Sequence, residues 1–116
     1  MKENVVKNKS FAFALRIVKL YQFLTESKKE YVLSKQLLRS GTAIGALVRE
    51  AEHAESKADF IHKLSIALKE ANETEYWIEL LQQSAYLNDN DFETLFNEIT
   101  ELLRLLISII KSSKNN

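Results

Sequence analysis

Three groups of residues in this chain have the types and spacing that chemistry requires. The first is a basic row, Lys35, Arg39, Arg49 and His53, which falls within about 80° on a helical wheel. Thr42 and Ala46 lie between them, with no acid in line. Such a row could track phosphates, and its affinity for RNA or DNA would fall steeply with salt. It could equally be a solvated face, or one neutralised by the acidic residues of a neighbour. The second group pairs carboxylates with histidines: Glu50 with His53 has the E-x-x-H spacing that di-iron bundles use, and Asp59 with His62 repeats it. Both histidines point outward on their wheels beside a turn, as on any charged, solvent-exposed corner, so no metal ligands are assigned. The third is a polar row, Glu70, Glu73 and Thr74 with Tyr76 and Trp77. Paired carboxylates can serve acid–base chemistry, but no nucleophile or oxyanion hole accompanies these. Thr74 faces the core, so the row reads as a hydrogen-bonded network with Ser40 or an arginine of the preceding helix, fixing register. Without cysteine there are no thiolate sites or disulfides, and without a glycine loop there is no phosphate cradle. The expectation is a non-enzyme with no cofactor and no catalytic residue.

The elements that position these groups follow from periodicity. The chain has 116 residues, two glycines and no proline, so its helices should be long and its turns tight. Apolar residues at helical spacing predict an all-α, antiparallel up-down four-helix bundle forming one domain over residues 1–116, with helices at about 11–27, 31–55, 57–87 and 91–112. The inward stripe of the second helix runs through Leu33, Leu37, Ser40, Ile44, Leu47, Val48 and Ala51. The third runs from Phe60 through Leu64, Ala67, Ala71, Thr74, Ile78 and Leu81 to Ala85. Ser56 with Asp59 looks like an N-cap close to a capping box, and Asn88 or Asn90 can cap the fourth helix.

Gly41 and Gly45, the only glycines, sit inside the second helix on a flank of its inward stripe. Each weakens a helix by about 1 kcal/mol against alanine, so bare backbone there implies a close approach, either by a helix of the same bundle or by a second subunit. Surplus apolar surface favours association. Ile66, Trp77 and Leu80 lie on the third helix away from its core stripe, and Leu15 and Phe23 interrupt the polar arc of the first. Phe11, Phe13, Ala14, Ile17, Val18, Leu20, Tyr21 and Leu24 cover about half the first wheel, wider than the ~100° one core needs. A homo-oligomer is expected, with Gly41, Gly45, Ile66, Trp77 and Leu80 at its interface.

Net charge is zero but unevenly spread: residues 1–49 carry +7, residues 50–101 carry −10, and the remainder +3. The basic half meets either an outside polyanion or the acidic half of another copy. MKENVVKNKS lacks the apolar region of a signal peptide, and the run from Leu102 to Ile110 is too short to span a bilayer, so a cytoplasmic protein with no membrane partner is expected.

Residues 34–81 carry Ser40-Gly41-Thr42 with Ile44-Gly45, then Arg49-Glu50-Ala51, Asp59-Phe60, Lys69-Glu70-Ala71, Glu73-Thr74 and Tyr76-Trp77. With these motifs the chain resembles the four-helix-bundle proteins named for open reading frames in 23S rRNA intervening sequences, some labelled S23 ribosomal proteins. The likeness extends from FAFALRIVKLYQFL to ELLRLLISIIKS. It implies a ring, a homopentamer, with no established enzymatic activity. The chain is also similar to the accessory variability protein of diversity-generating retroelements, which binds nucleic acid and works with a reverse transcriptase. The resemblance therefore adds RNA or DNA, and a reverse transcriptase or other protein, to the expected partners. The alternative is a purely structural oligomer or protein-interaction module that binds no nucleic acid.

Overall fold

Apolar residues recurring every three or four positions, with no proline to interrupt them, wind nearly the whole chain into helix. The computed structural model describes residues 2–115, with side chains from Val5 onward: α1 is Lys2–Glu26, α2 Leu33–Glu52, α3 Lys57–Gln83 and α4 Asp89–Lys114. Each helix packs on its two neighbours, α1 on α2, α2 on α3, α3 on α4 and α4 back on α1, and among the described residues no backbones approach closely across the diagonals. The bundle measures 47 × 21 × 19 Å. Among the described residues, no helix is long and apolar enough to cross a membrane.

The core is a column of fully buried side chains: Phe13, Ile17 and Leu24 from α1, Leu37 and Ile44 from α2, Leu64, Ile78 and Leu81 from α3, and Ile99, Leu102 and Leu106 from α4. Burying each stabilises the fold by about 1.5–3 kcal/mol. The inward stripe expected for α2 is buried or half-buried throughout.

The helix ends depart from expectation in instructive ways. Helix α1 begins at Lys2 rather than near Phe11, because Val6 and Ser10 continue its buried stripe backwards through a polar-looking segment. Helix α2 ends at Glu52, with His53 as its C-cap. Helix α3 ends at Gln83 rather than Leu87, so Ala85 is not a core position but an exposed turn residue at φ 67°. Lys29, after α1, takes the same left-handed conformation at φ 57°. Glycine ordinarily fills such sites; here both glycines are inside α2, and Lys29 and Ala85 carry strain of about 1–2 kcal/mol each.

At the N-termini, Ser56 caps α3 as expected, its Oγ accepting from Asp59 N–H at 3.0 Å while Asp59 accepts from Glu55 N–H at 3.2 Å. Asn88, not Asn90, caps α4, its Oδ1 accepting from Asp91 N–H at 2.7 Å. Helix α2 has Val32 at its N-cap, which offers no side-chain acceptor. The Glu30 carboxylate does that work, accepting from the N–H groups of Val32 (3.1 Å), Leu33 (3.0 Å) and Ser34 (2.7 Å).

Candidate functional site

The polar row of α3 is a register lock against α2. Buried Ser40 and Thr74 face each other across the seam with their hydroxyls 2.9 Å apart, and the Thr74 hydroxyl also reaches the Glu70 carbonyl at 2.7 Å. Arg39 extends over the same seam to Glu73 at 2.7 Å and Glu70 at 3.7 Å. The Trp77 indole N–H donates to Glu73 Oε2 at 3.0 Å. That bond is the largest influence on Glu73; burial opposes it, Arg39 reinforces it, and the carboxyl ends below its ordinary pKa. Both partners proposed from the sequence, Ser40 and an arginine of α2, therefore take part. Thr74→Val is expected to cost about 1–2 kcal/mol, because it strips Ser40 of its best partner, and adding Ser40→Ala should recover part of that loss. Urea denaturation of the two single variants and the double variant reads the coupling directly.

The basic row is less available than its spacing suggests. Arg39 is committed to Glu70 and Glu73. Arg49 lies over the Phe11 ring, 5.0 Å from its centroid, tying α2 to α1. Lys35 and His53 are exposed. A shallow, open depression at the α2–α3 corner joins Arg49, His53 and Lys63 to Glu50, Glu55 and Asp59, so acids meet the row at that end. Glu50 pairs with Lys63 at 3.1 Å, and Asp59 is taken up by the cap of α3. Among the described residues, no three His, Cys, Asp or Glu side chains gather as metal ligands.

The glycine flank faces inward. A Cβ on Gly41 would lie 2.9 and 3.0 Å from Cγ1 and Cγ2 of Ile17, and one on Gly45 would lie 3.4 Å from the carbonyl oxygen and Oγ of Ser10. Both glycines are buried against α1 of their own bundle, which corrects the expectation that they line a subunit interface. The apolar surplus lies elsewhere. On α3, Ile66, Trp77 and Leu80 are half-buried, and beside them Tyr76 is 58% exposed with its ring edge-on to Trp77 at 4.9 Å. On α1, Phe11, Leu15 and Val18 are exposed at 49%, 51% and 38%. Phe11 and Val18 thus belong to the part of the broad apolar arc that stays outside the core. The breadth of the α1 apolar arc was the signal that one core could not absorb them all.

The charge halves also meet within one bundle. Lys9 pairs with Glu101 at 3.2 Å, Arg16 with Glu98 at 2.7 Å and Lys7 with Glu52 at 3.2 Å.

The sequence profile of the family described as 23S rRNA-intervening sequence protein matches residues 2–108. A crystal structure of a protein of unknown function from the S23 ribosomal protein family of Bacteroides thetaiotaomicron superposes with a TM-score of 0.94 at 63% identity, covering 96% of this chain and 99% of that one. No curated protein gives a significant match.

Proposed function

Because the chain belongs to the 23S rRNA-intervening sequence protein family, we propose that it works through self-association rather than catalysis, as a scaffold built from copies of one rigid bundle. The observation that supports this is the exposure of large apolar side chains on two outer faces: Phe11, Leu15 and Val18 on α1, and Tyr76 on α3 beside half-buried Ile66, Trp77 and Leu80. Contiguous apolar surface of this kind marks a partner site. The family resemblance supports a ring of five as the assembly.

A second reading, RNA or DNA held on the outer face of α2, is favoured by Lys35, Arg49 and His53, which no carboxylate pairs among the described residues. Three groups neutralise at most about three phosphates, giving log–log salt slopes no steeper than about −3.

Light scattering at micromolar concentration tests the main reading. Several times the 13.4 kDa of one chain is expected, and a lone protomer overturns it. Filter binding of structured RNA across a salt series on the same sample tests the second, which fails if no retention is seen at low salt.

A further inference from the structure

Phe23 breaks the polar arc of α1 on the side that meets α4, along the least closely packed of the four seams, and is 44% exposed there. Between it and the first turns of α4 lies a depression of about 390 Å³. The floor is apolar: Leu20 and Phe23 come from α1, Leu87 from the α3–α4 turn and Leu95 from α4. Leu87 and Leu95 are buried, so the core beneath fixes this floor. A second depression, of about 400 Å³, continues past Phe23 over the α3–α4 turn, and the two share Phe23, Leu87 and Asp91. Each is within the range of about 300–1,000 Å³ that small-molecule sites occupy.

The walls of the first depression carry charge of both signs: Arg16 and Lys19 on the α1 side, Asp91 on the α4 side. Arg16 is held by Glu98 at 2.7 Å. Lys19 is exposed and pairs with no carboxylate among the described residues. Asp91 Oδ2 accepts from the Asn88 side-chain amide at 3.2 Å, and among the described residues no cation pairs with it. Lys19 and Asp91 thus line one depression without bridging it. Past Phe23 stand one more cation and one more acid: Lys28, 5.8 Å from the Phe23 ring centroid, and Asp89, which accepts from Gln82 at 2.9 Å. A ligand with a single charge would meet its complement on one wall and its like on the other. One that carries both charges beside an apolar body matches the walls and the floor together. We propose that the α1–α4 depression binds a free α-amino acid with an aromatic side chain. Both charges of such a ligand leave the same carbon, so its carboxylate turns to Lys19 and its ammonium to Asp91 while the ring lies along the floor. There it covers Leu87 and meets the exposed Phe23 ring edge-on or offset, the arrangements aromatic pairs favour. None of these residues belongs to the two faces proposed for self-association.

Titrating isotope-labelled protein with phenylalanine to millimolar concentration, read by backbone amide shifts, tests the site. The amides of Phe23, Leu87 and their neighbours are expected to move, and those of the α2–α3 corner to stay. Hydrocinnamate lacks the ammonium, phenethylamine the carboxylate and glycine the apolar body. Each is expected to bind at least about tenfold more weakly than phenylalanine. Lys19→Met should weaken phenylalanine about tenfold without weakening phenethylamine, which has no carboxylate to lose a partner. Asp91→Asn should likewise weaken phenylalanine and spare hydrocinnamate. Both side chains are exposed, so both variants are expected to keep their helical circular dichroism. A titration that leaves the depression's amides in place overturns the site. Hydrocinnamate bound as tightly as phenylalanine overturns the recognition of both charges, and undiminished affinity in the two variants overturns the roles of Lys19 and Asp91.

Discussion

Valine in place of Gly41 is expected to lower the free energy of unfolding by about 3 kcal/mol, the upper part of the range for overpacking a closed core. Gly45→Ala is expected to be neutral or to raise it by up to about 1 kcal/mol, the gain in helix propensity. The contrast comes from what each new Cβ meets. At position 41 it would fall 2.9 Å from Ile17 Cγ1 and 3.0 Å from Cγ2. Ile17 is fully buried and β-branched, so neither atom can swing away. At position 45 the nearest atoms are 3.4 Å away, an ordinary contact. Urea denaturation followed by helical circular dichroism measures both. A Gly41→Val protein as stable as the parent would show that α1 does not lie on α2 as described. Loss of stability that vanished at high protein concentration would instead return the glycines to a subunit interface.

How far the molecule was legible beforehand depends on whether a feature is a property of one helix or of two. The inward face of α2 was readable, since it follows a single continuous stripe. So was the Ser56 cap, because a serine hydroxyl just before an apolar helical run accepts locally from the N–H three residues on. The glycine flank could be located on its helix, but periodicity does not say which backbone comes to meet it; only the packing of Ile17 and Ser10 does. The start of α1 was hidden because Val6 and Ser10 are isolated among Lys, Asn and Glu, and their burial is visible only once α2 lies over them. The choice between Asn88 and Asn90 turns on where α3 stops, and that is decided by Ala85 entering a conformation for which no residue type in the sequence gave notice.

The charge imbalance along the chain has a similar resolution. Besides the two outlets weighed from the sequence, an outside polyanion or another copy, the bundle itself takes part of it. The bundle folds its basic first half against its acidic second half, through Lys9 with Glu101, Arg16 with Glu98 and Arg39 with Glu70 and Glu73. These pairs are partly exposed and individually contribute about 1 kcal/mol or less. Their consequence is for recognition: they remove Arg39 from the candidate phosphate row. The cations left unpaired on the outer face of α2 are Lys35, Arg49 and His53.

Glu30 is the feature that no sequence signal announced, and replacing it should be costly. Helix α2 starts without a Ser, Thr, Asp or Asn at its N-cap, and the Glu30 carboxylate reaches over Val32 to accept from three successive backbone N–H groups. The Ser34 hydroxyl closes the loop by donating to the Glu30 carbonyl at 2.8 Å. Burial alone works against ionisation here, but the N–H groups of Leu33, Ser34 and Val32 outweigh it and hold the carboxyl below its ordinary value of 4.5. Glu30→Ala leaves those donors without an acceptor and is expected to cost about 2 kcal/mol. Glu30→Gln keeps one acceptor oxygen and should lose about half as much. The sign of the pH dependence follows from the lowered pKa. The folded state holds the proton less tightly than the unfolded chain, so the stabilisation is complete above the unfolded pKa and drains away as pH falls through the folded one. The gap between parent and Glu30→Gln in urea denaturation should therefore be constant from neutral pH to about pH 5 and narrow below it. A gap that stayed constant through that acid range would mean that the negative charge contributes nothing and that the cap acts by shape alone.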